Sequence, residues 1–204
     1  MLQIPQQLRR QRKLLITAGS YARHFWGGFA KFLPIICLLI CWQNNVKAEG
    51  LEEYAIKSAI TYNLAVFTEW PEKTFKNAEA DMHICVVGDS IVQEAFLQIA
   101  AKKVSQHSIK IVDITRSKNI NGCHIVYIGN QDRMLLSQIQ NEANGKNILT
   151  IDDTDGFSTY KSIVNLQEIE GRIRLNINVN LAQQSNLKIS ARVLKLANIV
   201  VSNH

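Results

Sequence analysis

The sequence predicts an α/β fold: a single three-layer domain whose mainly parallel sheet is extended by a C-terminal antiparallel hairpin and covered by helices on both faces. Three observations carry this. Apolar strand-like runs and amphipathic helical runs alternate from Met82 to Ile151 at the spacing of βαβ units. Within residues 171–179, Ile173, Leu175, Ile177 and Val179 alternate with Arg172, Arg174, Asn176 and Asn178, the period of a strand with one buried face. Residues 51–69 contain neither glycine nor proline and repeat at helical spacing.

In that opening helix Ile56, Ile60, Leu64 and Phe67 recur at steps of four and three, with Ala55, Ala59, Tyr62 and Val66 as a second stripe. Pro71 ends it, because the residue before a proline is pushed out of helical geometry. That leaves Trp70 at the helix end, as packing or as a partner contact.

A polar connection, Glu72 to Asp81, leads to Met82–Val87, an uninterrupted apolar strand of the kind buried on both faces. Gly88-Asp89-Ser90 turns into a helix over Ile91–Ala101, with Asp89 or Ser90 as its cap. Ile109–Ile114 and Cys123–Ile128 are the next strands. Asp132–Asn144 is a helix stopped by Gly145, with Met134, Leu135, Leu136 and Ile139 facing inward, and Ile148–Ile151 is a fourth strand. Ser162–Leu166 pairs with residues 171–179 through a tight turn at Glu170-Gly171. The chain leaves through Asn180-Leu181-Ala182 and enters a helix near Ser190, whose apolar face is Val193, Leu194, Leu196, Ala197 and Val200.

The formal charge of +6 invites a nucleic-acid reading, yet the first 48 residues hold seven of the 23 bases and none of the 17 acids. The rest of the chain is close to neutral, so no nucleic-acid partner is expected. Those bases precede Phe32–Trp42, eleven residues without charge, followed by Val46-Lys47-Ala48. This order predicts a signal peptide over residues 1–48, cleaved after Ala48, and a domain over 49–204. An uncleaved anchor over Phe25–Trp42 competes, weakened by Lys31 and Pro34; lipidation at Cys41 is opposed by the bulky Ile40.

Export leaves Cys85 and Cys123, an even pair and a disulfide candidate, with two buried thiols as the alternative. A zinc site would need further ligands, which the neighbouring His83 and His124 do not supply in a recognisable spacing. Gly88 stands alone after its strand, without the glycine spacing of a dinucleotide fold. The acidic loop Asp152-Asp153-Thr154-Asp155-Gly156 lacks the later glutamate of a calcium loop and reads as an Asp-rich turn. No nucleophile elbow is present, and His83, His107 and His124 read as structural. No catalytic residue, cofactor or metal is assigned. Trp70, Asp89, Asp153, Asp155, Arg172 and Arg174 remain as candidate partner or ligand contacts.

Three stretches together resemble the YfiR-like family: Glu53-Tyr54 through Tyr62-Asn63-Leu64 to Trp70-Pro71; Cys85-Val86-Val87-Gly88 with Cys123-His124; and Gly171–Asn178 with Leu187–Ala197. The resemblance implies a periplasmic regulator that restrains a membrane-bound diguanylate cyclase through its periplasmic sensor part. It further implies an outer-membrane lipoprotein as sequestering partner, a homodimer, and a family cysteine pair matched by Cys85 and Cys123. A second family pair, near residues 157–166, has no counterpart. The alternative function is a periplasmic small-molecule binding protein using the C-terminal ends of the parallel strands, near Gly88-Asp89 and Asp152–Gly156.

Overall fold

The computed structural model of the chain describes residues 50–129, 133–154 and 162–200. The expected signal peptide and its cleavage point lie outside these residues, as does Asp155.

The first helix, α1, spans 50–66. It stops three residues earlier than expected because Thr68–Glu69 (β1) pairs antiparallel with Lys188–Ile189 (β9), and the Phe67 carbonyl accepts from Ser190 N–H at 2.8 Å. After a 3₁₀ turn at Glu72–Thr74 come β2 (Met82–Val87), α2 (Ser90–Leu97), β3 (Lys103–Val104), β4 (His107–Asp113) and β5 (Ile125–Ile128). Then follow α3 (Arg133–Ala143), β6 (Leu149–Asp152), β7 (Val164–Ile169), β8 (Arg172–Asn178), α4 (Val179–Gln184), α5 (Ala191–Leu194) and β10 (Asn198–Val200).

The main sheet runs β10-β8-β7-β6-β5-β2-β4-β3, parallel except for the β7–β8 hairpin and the β3 edge. In the hairpin turn Glu170 and Gly171 both have positive φ, 53° and 72°, the geometry whose twist matches the flanking strands. One face of the sheet carries the larger core, closed by Leu64 and Ala65 of α1, Val92 and Phe96 of α2, Ala182 of α4 and Val193 of α5. The other carries Cys85, Val87, Val126 and Ile128 under Ile139 and Ala143 of α3. The three-layer α/β domain with its antiparallel hairpin is therefore present.

Several local expectations are corrected. The C-terminal segment is not one helix: α5 is a single turn capped by Ser190, because residues 198–200 extend along the open edge of β8. Met134 is 81% exposed while Leu135 and Leu136 are half-buried, so α3 is rotated relative to the expected inward set. β4 begins at His107, two residues before the expected Ile109, and ends at Asp113. The buried stripe of α1 is largely polar, through Lys57, Ser58 and Thr61, and Ile56 is 49% exposed. The hydroxyls of Ser58 and Thr61 bond back to the carbonyls of Ala55 and Lys57, which makes that polar stripe tolerable under the sheet.

Candidate functional site

The polar side of β8 does not stay in water along its whole length. Arg172 and Arg174 are exposed, but Asn176 and Asn178 are buried. Asn176 joins an amide ladder across four strands: Asn165 Nδ2 donates to Asp152 Oδ1 at 2.8 Å, Asn176 Nδ2 to Asn165 Oδ1 at 3.2 Å, and Asn198 Nδ2 to Asn176 Oδ1 at 3.2 Å. Burial raises the Asp152 carboxyl above its usual range, against the lowering effect of its bonds with Ser162 and Asn165.

On the opposite face, α1 and β8 stand apart and leave a groove of about 740 Å³. Ile60, Leu64 and Phe67 form one wall and Ile173, Leu175 and Val193 the other, with Arg172 and Arg174 on its lining. Leu196, at its mouth, is 83% exposed. The arrangement offers apolar area with cationic margins, which suits an acidic, partly apolar surface better than a small polar substrate.

A second groove, about 510 Å³, lies between β1 and the β3 edge and is lined by Thr68, Trp70, Phe75, Val104 and His107 among others. Thr68 Oγ1 and Trp70 Nε1 are buried without a hydrogen-bond partner. Beside this groove Phe75 is sandwiched between two imidazoles, with ring centroids 3.8 Å from His107 and 4.6 Å from His124.

A third feature is a buried charged cluster. Lys57 Nζ lies 2.7 Å from Asp153 Oδ2, bonds Glu53 one turn earlier, and sits over the Tyr54 ring. Tyr127 Oη donates to the same Asp153 oxygen at 2.9 Å. Burial alone would lower the Lys57 ammonium, but the Asp153 charge and the bonds from Asp153 and Glu53 leave it raised. Burial, then the Asp153 charge, push the phenols of Tyr54 and Tyr127 up as well. A lysine held charged in this way is an anchor and makes a poor nucleophile.

The expected contacts are thus dispersed. Trp70 lines the smaller groove and Arg172 and Arg174 the larger one. Asp153 is 6% exposed and bound within the charged cluster. Asp89 caps α2, accepting from the N–H groups of Ile91 and Val92. Gly88 before it is needed as glycine, since an added Cβ would stand 2.6 Å from Val92 Cβ. Cys85 and Cys123 form a disulfide, Cα atoms 5.8 Å apart, joining β2 to the approach to β5. Sequence reasoning missed Lys57, Tyr127, Phe75 and the histidine cluster. Among the described residues, no group of three His, Cys, Asp or Glu is placed to hold a metal ion.

The sequence profile of one family, described as YfiR/HmsC-like, matches residues 54–198, nearly the whole described domain. The chain belongs to the YfiR/HmsC-like family. The match runs from Tyr54 in the charged cluster to Asn198 at the end of the amide ladder, so the ladder, both grooves and all of the cluster except Glu53 fall inside the family domain. A comparison with curated proteins gave no significant match. The YfiR-like family is one of periplasmic regulators rather than catalysts. Among the described residues of this member, no helix is long and apolar enough to cross a membrane.

Proposed function

We propose that this YfiR-like protein is exported by its N-terminal segment and docks on the periplasmic sensor part of a membrane-bound diguanylate cyclase. Docking favours the sensor's inactive state and lowers cyclic-di-GMP. This requires higher affinity for the inactive state than for the active one, and no bond-making chemistry. The observation that carries the reading, beside the family match, is the apolar groove between α1 and β8, with Leu196 exposed at its mouth and Arg172 and Arg174 on its lining. An outer-membrane lipoprotein that competes for the domain, and a homodimer, are further proposed partners.

The test is expression of the full chain, and of its Leu196→Glu variant, in the native cells, with crosslinking and cyclic-di-GMP measured together. The wild type is expected to capture a membrane protein with a cyclase domain and to lower cyclic-di-GMP, and the variant to do neither while remaining folded. A captured cyclase with cyclic-di-GMP unchanged would falsify the mechanism.

A second reading, a periplasmic small-molecule binding protein, is favoured by the smaller groove, where Thr68 Oγ1 and Trp70 Nε1 lack partners. Trp70 is the single tryptophan of residues 49–204, so saturable quenching of its fluorescence by a candidate ligand reports that site directly.

A further inference from the structure

Residues 72–79 run over the surface between β1 and β2, belonging to no strand of either sheet. Their own turns supply two backbone bonds, Thr74 N–H to Pro71 O and Ala80 N–H to Asn77 O. Most of the segment is exposed, and its half-buried positions are Thr74, Phe75 and the flanking Pro71, Ala80 and Asp81. Histidines hold it at Phe75 and Ala80. Phe75 lies nearly parallel between the rings of His107 and His124, at 10° and 9°. His107 Nδ1 donates to the Ala80 carbonyl at 2.6 Å. Among the described residues, a polar tie that does not involve histidine joins Asn147 Nδ2 to Thr74 Oγ1, at 3.2 Å.

The two imidazoles are not equivalent toward acid. His107 already donates from Nδ1, so adding a proton at its other nitrogen leaves that bond intact. His124 accepts at Nδ1 from the backbone N–H of His83, at 3.0 Å. A proton on Nδ1 would face the His83 N–H directly, so a charged His124 must turn, giving up the stack on Phe75. From β2 the ring faces His83, 5.8 Å between centroids, and from β4 the His107 charge acts across the Phe75 ring. Both add repulsion once protonated.

We propose that residues 71–81 form an acid-released strap, in which protonation of His124 unseats Phe75 and opens the groove between Trp70 and His107 while the rest of the domain stays folded. The Cys85–Cys123 disulfide fixes β2 to β5 immediately beside His124, which confines the opening to the exposed segment. Phe75 is itself part of the groove's lining, so releasing it changes the shape offered beside Trp70. The strap is independent of the identity of any docking partner.

The experiment is hydrogen–deuterium exchange on the purified, disulfide-bonded chain, corrected for the intrinsic pH dependence of exchange. With His124 pushed down to about 4 in the closed state and near the ordinary imidazole value when released, the opening constant of the strap rises about 25-fold between about pH 7.5 and about pH 5. Peptides covering 72–81 are expected to lose protection by that factor, and peptides from β2 and β5 to keep theirs. His124→Phe retains a ring against Phe75 and cannot titrate, and its strap protection is expected to be flat with pH. Phe75→Ala, which removes the ring that His107 and His124 hold, is expected to leave the strap open at both pH values. Unchanged strap protection in the wild type, a pH response that survives His124→Phe, or loss of protection across the whole domain at once overturns the proposal.

Discussion

Lys57 Nζ and Asp153 Oδ2, 96 residues apart in the chain, meet at 2.7 Å with both side chains buried, and so pin α1 to the end of β6. Tyr127, Tyr54 and Glu53 complete the cluster, which makes it a satisfied polar network rather than an isolated pair. Removing one charge leaves the other desolvated without its counter-charge. Lys57→Met is expected to cost roughly 3–5 kcal/mol in urea denaturation. The double variant Lys57→Met, Asp153→Leu is expected to cost clearly less than the sum of its singles, since no unpaired charge remains. Additive losses would mean that the two residues act separately.

Acid acts on His124. Burial first, then the His83 and His107 charges, push its imidazole down to about 4 from the ordinary 6.5, against the opposing bond to Thr74. The unfolded chain takes up a proton near pH 6.5 and the folded chain with its strap closed does not until about pH 4, so folded stability falls as pH drops through that window until the strap opens. The loss is about 1.4 kcal/mol per pH unit and roughly 3 kcal/mol in all at most, since strap opening lets the folded domain take up the same proton. Denaturation midpoints across the window check it, and His124→Phe should flatten this part of the profile.

The sequence made the centre of the sheet legible and its margins less so. Met82–Val87 has an unbroken apolar run, and the β8 alternation with Glu170-Gly171 marks a hairpin; both signals are local. Strands β1, β9 and β10 are two or three residues long and exist because another strand lies beside them, information that no local period carries. Lys57 was hidden for a related reason. Lys57 and Thr61 lie one turn apart and look like a solvent stripe until Asp153 is known to lie beneath it. The histidine cluster did leave a trace: His83 lies two residues before Cys85, and His124 directly follows Cys123. Bridging the cysteines therefore brings those two rings to one place.

Cys85 and Cys123 are 2% and 7% exposed, and their bridge closes a separation of 38 residues. Chain entropy assigns such a loop about 4 kcal/mol. Cys85→Ala with Cys123→Ala is expected to lose roughly 2–4 kcal/mol while keeping the native circular dichroism, because two small apolar groups still fill the core beside Ile120 and Val126. An unchanged denaturation midpoint would remove the bridge from the account of stability.

Alkaline titration should be equally directional. Burial and the Asp153 charge raise the phenols of Tyr54 and Tyr127, so above about pH 10 the unfolded chain loses protons that the folded one retains. Stability is therefore expected to fall as pH rises beyond that point, with Tyr127→Phe reducing the slope. Its ultraviolet signature is a tyrosinate absorbance that appears only with unfolding for the buried Tyr127.

The amide ladder supplies a test with opposite pH dependence. Asn176 both donates to Asn165 Oδ1 and accepts from Asn198 Nδ2, and it is 5% exposed, so each of its side-chain polar groups has a defined partner. In Asn176→Asp the donor toward Asn165 is lost and acceptor faces acceptor, with a carboxylate placed where water is scarce. The variant's folded carboxyl is expected to sit above the usual range. Its folded state takes up a proton at a higher pH than the unfolded chain, so its deficit should shrink as pH falls toward about 4 and the protonated acid regains a donor. Asn176→Leu, with no titratable group, should show a deficit of about 1–3 kcal/mol at every pH, from the Asn165 oxygen left without its donor. Denaturant midpoints of the two variants at neutral and acid pH separate these cases. A constant gap between them would mean that residue 176 is hydrated in the folded protein and that the ladder does not hold β7 to β8.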